Sequence, residues 1–205
     1  MNNITIDTVI FDLGRVLVPF DFQRGYRAMS ELCGLEPEEI ARRLRQSNLV
    51  VDFESGVVDG PGFVQEVSRL LEAELSYDRF CEIWSSVFLP ETLIPESMVE
   101  AIRKRYRTVL LSNTNPIHFE MLRATYPILR HFDAYVLSHE VGAMKPLPAI
   151  YAKAIEEARC PAQECFFTDD IAEYVEGARR AGIDAVQFES CEQVSRELRS
   201  RGVEW

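Results

Sequence analysis

The stretch Thr8-Val-Ile-Phe-Asp-Leu-Gly-Arg-Val-Leu-Val18 decides how the chain is read. Val9, Ile10 and Phe11 form an unbroken β-branched and aromatic run, the pattern of a strand buried on both faces, and the run stops at a lone carboxylate, Asp12. That places Asp12 at the C-terminal end of a strand, the edge of an open α/β sheet where ligands bind. Taken alone, the same residues also describe a strand-ending Asp in a turn, with Gly14 supplying φ > 0. The choice between the two readings comes from the rest of the chain.

Beyond Pro95 the pattern alternates between helix and strand. Met98, Ile102 and Tyr106 line a helix, and Thr108–Ser112 reads as a buried strand. A helix after Asn115-Pro116, a strand Ala134–Ser138, and a helix with Tyr151, Ala154, Ile155 and Ala158 on one face follow. Next come the strand Cys165–Thr168, a helix through Ile171, Val175 and Ala178 ending near Gly182, and a last strand Asp184–Phe188. Short apolar strands separated by helices need crossover connections, so the expected fold is α/β with a doubly wound parallel sheet.

Between the first strand and that region, Phe20 to Phe88 carries helical periodicity only. Phe22, Tyr26, Met29 and Cys33 make one stripe closed by Gly34, and Pro37 opens a second helix with Ile40 and Leu44. Asp59-Gly-Pro-Gly62 introduces a third helix through Phe63, Val67, Leu70 and Leu71. Ser76 is positioned to cap a fourth with Phe80, Ile83, Trp84 and Val87. The segment therefore reads as an all-helical insert.

Among 205 residues, 33 acidic against 22 basic side chains give a formal charge of −11, which disfavours nucleic acid as a partner. Arg103, Lys104, Arg105 and Arg107 read as one solvated helix face. The polar N-terminus and the lack of any long apolar run predict no membrane span and no secretion signal. Five cysteines without metal-ligand spacing fit reduced thiols, and the expected location is the cytoplasm.

In this layout the polar residues collect at one end of successive strands: Asp12, Ser112-Asn113, Ser138 and Asp169-Asp170, with Lys145 in the loop after the third. Singly they are ordinary, since an Asp pair after a strand often caps a helix. Together they suit phosphoryl transfer. A carboxylate such as Asp12 can attack phosphorus and form an aspartyl-phosphate. Two adjacent anions repel, so a divalent cation must lie between them, and Asp170 offers a hard oxygen ligand for Mg²⁺. Ser112 and the backbone N–H at Asn113 can hold phosphoryl oxygens, while Lys145 supplies positive charge to nucleophile and phosphate.

Those residues resemble the four motifs of the haloacid dehalogenase (HAD) superfamily. Phe11-Asp-Leu-Gly-Arg-Val-Leu is similar to the first motif, and Leu110-Leu-Ser-Asn-Thr-Asn to the second. Val141-Gly-Ala-Met-Lys-Pro is similar to the third, and Phe166-Phe-Thr-Asp-Asp with Glu176-Gly-Ala to the fourth. The likeness spans nearly the whole chain. It implies a HAD-like core over residues 1–18 and 92–205, a helical cap over 19–91, and a Mg²⁺-dependent phosphatase of small phosphorylated metabolites. Asp-Leu-Gly, Phe20-Asp-Phe-Gln-Arg24 and Leu-Ser-Asn-Thr-Asn further resemble the bacterial α-D-glucose-1-phosphate phosphatase branch.

Two departures bear on mechanism. Most phosphatases of the superfamily carry a second Asp, the general acid, where this chain has Gly14; the resemblance leaves the Gly14 carbonyl as a metal ligand. Arg15 stands where the branch has a small or neutral residue, and Tyr174 replaces a commonly polar one. Asp21, just past the turn at Pro19, is either a helix N-cap or a substitute acid. The resemblance also keeps two rivals in view. One is a metal-independent dehalogenase using Asp12 on carbon, and the other is a binding or regulatory protein with an impaired site.

Overall fold

β1 (Thr8–Phe11) is the middle strand of five. It lies between β2 (Arg107–Ser112) and β4 (Cys165–Asp169), with β3 (Ala134–Leu137) beyond β2 and β5 (Asp184–Gln187) beyond β4. Every pairing is parallel. The computed structural model describes residues 5–205, so the first four residues of the polar N-terminus lie outside it. Phe11 pairs with Leu110 on one side and Thr168 on the other. This register brings Asp12 level with Asp169 and one residue short of Ser112.

Five helices separate β1 from the rest of the core: α1 (Phe22–Cys33), α2 (Pro37–Gln46), α3 (Leu49–Glu54), α4 (Gly60–Leu71) and α5 (Tyr77–Ser85). Their boundaries follow local chemistry. Asp21 Oδ1 accepts from Gln23 N at 2.9 Å to start α1, and Gly34 at φ 70° stops it. Asp59 accepts from Gly62 N at 2.8 Å to start α4. Ser76 holds the N-cap position of α5 but makes no capping bond with its side chain. α3 is not legible in the sequence: it is a six-residue helix, too short to show a period, held by Phe53 stacked on Phe63 at 4.2 Å. Phe53, Phe63 and Phe80 are fully buried with Ile40, Val67 and Leu71 in a cluster of the insert's own.

α6 (Glu96–Arg103) and α7 (Pro116–Thr125) follow, then a four-residue α8 (Ser138–Val141), α9 (Pro148–Ala158), α10 (Ala172–Arg180) and α11 (Cys191–Ser200). The alternation of β1 explains the layering. Val9 and Phe11 belong to one core with Met98, Ile102, Leu122 and Val194, whereas Ile10 belongs to the opposite core with Ile150, Ala154, Val175 and Ala178. Helices thus cover both faces, and each buried Val, Ile or Phe contributes roughly 1.5–3 kcal/mol. The doubly wound parallel sheet expected from the sequence is the observed fold.

Some local expectations need correction. Tyr106 lies past the end of α6, where its hydroxyl accepts from Glu204 N at 3.1 Å. Ser138 opens α8 rather than ending β3. The basic cluster is not one helix face: Arg103 pairs with Asp133, Lys104 with Glu100 and Arg105 with Glu204, while Arg107 in β2 donates to the Glu157 carbonyl. α11, absent from the sequence reading, buries Val194 and Leu198. All five cysteines are free thiols. Among the described residues no helix is long and apolar enough to cross a membrane.

The segments joining insert and core run side by side. Asp21 N donates to Val87 O at 2.8 Å and Leu89 N to Pro19 O at 2.9 Å, and the Phe20 and Phe88 rings meet edge to face at 6.0 Å. A further tie is His118 of α7, whose Nε2 bonds the Trp84 carbonyl of α5 at 2.9 Å.

Candidate active site

Lys145 organises the sheet edge. Its ammonium donates to Asp12 Oδ1 at 2.6 Å, Asp169 Oδ2 at 2.5 Å and the Leu111 carbonyl at 3.2 Å, and all three charged groups are buried. The lysine arrives there because its loop is clamped by Asn113. The Asn113 Oδ1 accepts from Lys145 N at 2.8 Å, and its Nδ2 donates to Lys145 O at 3.1 Å. The Asn113 side chain is therefore a backbone clamp, which leaves Ser112 Oγ, with only a 3.4 Å contact to the Asn113 carbonyl, as the side-chain hydroxyl facing the edge. Ser138 is used internally, exchanging hydrogen bonds with Thr114 N and O.

Burial pushes the Asp12 carboxyl up to about 7, against the pull of Lys145 and with a further push from Asp169. Burial alone would lower the Lys145 ammonium, but the two carboxylates outweigh it and hold its pKa above the usual lysine value. Such a buried, fully bonded charge cluster is costly to assemble and strongly oriented once formed.

The fourth-motif pair divides its labour. Asp169 is saturated, with Oδ1 accepting from Ile171 N at 2.9 Å and Oδ2 bound to Lys145. Asp170 is half-buried; burial and then the Asp169 charge raise its pKa, while Arg15 and Lys145 oppose. Oxygens of Asp12, Asp169 and Asp170 lie within 4.8 Å of one another. A hard cation fits this donor set: Asp12 and Asp170 have lone pairs to offer, and Asp169 is already committed to the lysine.

The stretch after Asp12 corrects the turn reading. The left-handed residue is Arg15, at φ 59°, and not Gly14. Gly14 is needed for space, because a Cβ there would lie 2.8 Å from the Phe20 ring. Where the family resemblance sets a second Asp, this chain therefore packs an aromatic ring. The exposed Arg15 guanidinium rests 4.9 Å from the centre of that ring. Asp21 takes the capping alternative, its exposed carboxylate bonded to Gln23 N. Tyr174, singled out as a departure, places its ring 5.2 Å from Lys145 Nζ.

The sequence reading missed Phe20 as the neighbour of Gly14, a contact made only when the chain turns back at Pro19.

Comparison with known proteins agrees with this geometry. A phosphatase of Mycobacterium tuberculosis is 30% identical over 209 residues, spanning 97% of this chain and 96% of its own. D-ribitol-5-phosphate phosphatase of Bacteroides thetaiotaomicron is 25% identical over 199 residues, spanning 94% and 97%. A HAD family enzyme of Bacteroides thetaiotaomicron, solved in complex with magnesium and inorganic phosphate, shares the fold with a TM-score of 0.80 at 24% identity over 90% of this chain and 95% of that one. The family model for haloacid dehalogenase-like hydrolases matches residues 6–182, and the chain belongs to that family of enzymes.

Proposed function

We propose that the chain is a Mg²⁺-dependent phosphatase of small phosphorylated metabolites, acting through an aspartyl-phosphate on Asp12. The observation that carries this reading is the buried Asp12–Lys145–Asp169 cluster with the uncommitted Asp170 beside it. Mg²⁺ held by Asp12, Asp170 and the Gly14 carbonyl would neutralise the two anions that must meet. The chain's own groups do the rest. Asp12 attacks phosphorus, and the bond from phosphorus to the departing oxygen breaks. The Ser112 hydroxyl and the Asn113 backbone N–H hold the phosphoryl oxygens, and the Lys145 charge, bonded to Asp12, offsets the charge of nucleophile and phosphate together. Water then cleaves the acyl phosphate and regenerates the carboxylate. The helices α1–α5 act as the cap over residues 19–91, excluding bulk water while the phosphoryl group is in transit.

Because Phe20 fills the space beside Gly14, the departing oxygen has no acid at that position, and Asp21 is bonded elsewhere. Sugar 1-phosphates, whose anomeric oxygen leaves more readily than an ordinary alcohol, then suit the site, in line with the resemblance to the α-D-glucose-1-phosphate phosphatases. The phosphatase likeness of the relatives and the ribitol phosphate specificity of one of them support the broader class, phosphorylated sugars and polyols.

The test is a panel of phosphorylated metabolites titrated with Mg²⁺ on wild type, Asp12→Asn and Asp170→Ala. Metal-dependent phosphate release is expected from wild type, a loss of at least ~10³-fold in Asp12→Asn, and a raised Mg²⁺ requirement in Asp170→Ala. Phosphate release indifferent to Mg²⁺ would remove the metal from the reading, no phosphate release together with Mg²⁺-independent halide release from a 2-haloacid would favour the dehalogenase alternative, and activity surviving in Asp12→Asn would remove the covalent step.

A further inference from the structure

Position 174, where this chain departs from the family resemblance, carries an aromatic ring beside the buried Lys145 ammonium. That ammonium has three N–H bonds to give, and Asp12 Oδ1 at 2.6 Å, Asp169 Oδ2 at 2.5 Å and the Leu111 carbonyl at 3.2 Å take them. A polar side chain at 174 would find no lysine proton left to accept. An aromatic face needs none, because its negative quadrupole attracts the cation as a whole. The Tyr174 ring centre lies 5.2 Å from Lys145 Nζ and the Phe167 ring centre 5.6 Å, both inside the ~6 Å over which that attraction acts.

The ring is held there from behind. Tyr151 of α9, fully buried, donates its hydroxyl to the Tyr174 carbonyl at 2.7 Å. Gly177, a turn later in α10, leaves the room that Tyr151 needs, since a Cβ there would lie 2.6 Å from the same hydroxyl. The fourth-motif glycine thus lets α10 dock where it presents Tyr174 to the lysine. Asp12, Leu111, Phe167 and Asp169 are all buried, whereas Tyr174 is partly open to solvent, so its ring lies on the solvent side of the ammonium.

We infer that Tyr174 is a positioning residue for phosphoryl transfer: its aromatic face, and not its hydroxyl, holds the Lys145 ammonium against Asp12 and keeps water from it. This deepens the phosphatase reading and rests on it. A hydrated ammonium would divide its charge between Asp12 and solvent, and a fixed charge acts most strongly where water is excluded.

The first measurement is kcat and KM on phenyl phosphate and glucose 1-phosphate. Tyr174→Phe is expected to stay close to wild type, while Tyr174→Leu, without a π-face, loses roughly 3- to 30-fold in kcat with KM little changed. Progressively fluorinated phenylalanines at 174 drain the face of charge while keeping its shape, so kcat should fall in step with fluorination. They also keep the test standing if Tyr174→Leu fails to fold. Equal losses in Tyr174→Phe and Tyr174→Leu would assign the effect to the hydroxyl, and a flat fluorinated series would assign it to bulk; either overturns the inference, as does unchanged kcat in Tyr174→Leu.

The second measurement needs no turnover. The chain has three lysines, and Lys104 and Lys153 lie in surface ion pairs, which leaves Lys145 as the buried one. In protein isotope-labelled at lysine nitrogen, NMR of the Lys145 ammonium reports how fast its protons exchange with water. Exchange is expected to be slow in wild type and Tyr174→Phe and several-fold faster in Tyr174→Leu, and equal exchange in all three overturns the inference. If wild type releases phosphate and the variants do not separate, the inference fails alone. If wild type releases none from either substrate, the phosphatase reading fails, and the exchange measurement still decides whether the ring shields the lysine.

Discussion

At the sheet edge Lys145 lies buried between Asp12 and Asp169, bonded to both, whereas where the helical insert meets the core Glu54 is only partly buried and Arg15 lies exposed over an aromatic ring. The two regions differ in how their charges are met. The first holds groups fixed before substrate arrives, which is what stabilising a phosphoryl group in transit requires. The second leaves its charged groups, Glu54 and Arg15, partly or fully open to solvent.

The strongest way to break this contrast is Lys145→Met. Two buried carboxylates then lose their cation, and stability should drop by about 3–5 kcal/mol in denaturant unfolding. The gap to wild type should widen between pH 5 and pH 8, since without the ammonium the folded state resists ionising Asp12 even more than it already does. A loss independent of pH would mean that packing, and not charge, is what the lysine supplies.

The opposite outcome is expected at the seam. Burial pushes the Glu54 carboxyl up to about 7 from the ordinary 4.5, so wild type loses stability as pH rises through that window, where the unfolded chain gives up its proton first. Glu54→Gln removes that slope. It should melt higher than wild type above pH 7 by the equivalent of about 1–3 kcal/mol, the lower end reflecting the residual exposure of the residue. A variant less stable than wild type at pH 8 would show that Glu54 has a structural partner after all.

Phe20 sharpens the comparison further. Gly14→Asp alone should not create a working acid, because the new Cβ would press on the Phe20 ring at 2.8 Å. Combined with Phe20→Ala it should raise turnover of aryl phosphates with poor leaving groups by about 10- to 100-fold relative to the single variant, within the range that general acid catalysis supplies. Equal rates in the single and double variants would mean that the ring is not what excludes an acid. The smallest effect belongs to Arg15→Asn: an Asn tolerates φ 59° better than Arg, so thermal stability should rise by up to about 1 kcal/mol. A fall in stability would identify the stacking on Phe20 as the stronger term.

The distribution of what was readable follows the same division. Asp12, Ser112, Lys145 and Asp170 stand at strand ends or in a loop tied to one, so hydrophobic periodicity places them and their chemistry names them. The bulk of the helical insert is equally plain, because Gly34, Pro37 and Asp59 mark its boundaries. The hidden features depend on contacts between distant segments. α3 is only six residues long, and Phe53 stacked on Phe63 holds it in place. The role of Gly14 depends on a ring six residues on, and the setting of Glu54 on a seam made by α3 and α8, neither of which has a periodic signal. The sequence points to the Asn113 backbone N–H as a phosphoryl donor, but only the fold shows that the Asn113 side chain clamps the Lys145 backbone.

The central claim is that Asp12 becomes phosphorylated, and stereochemistry at phosphorus tests it most directly. A substrate whose phosphoryl group is made chiral with oxygen isotopes is turned over in water of a defined isotope, with an acceptor alcohol present to capture the group. Two successive in-line displacements, on to Asp12 and off again, predict retention of configuration. Inversion would mean a single direct transfer to the acceptor, and would contradict Asp12 as the nucleophile.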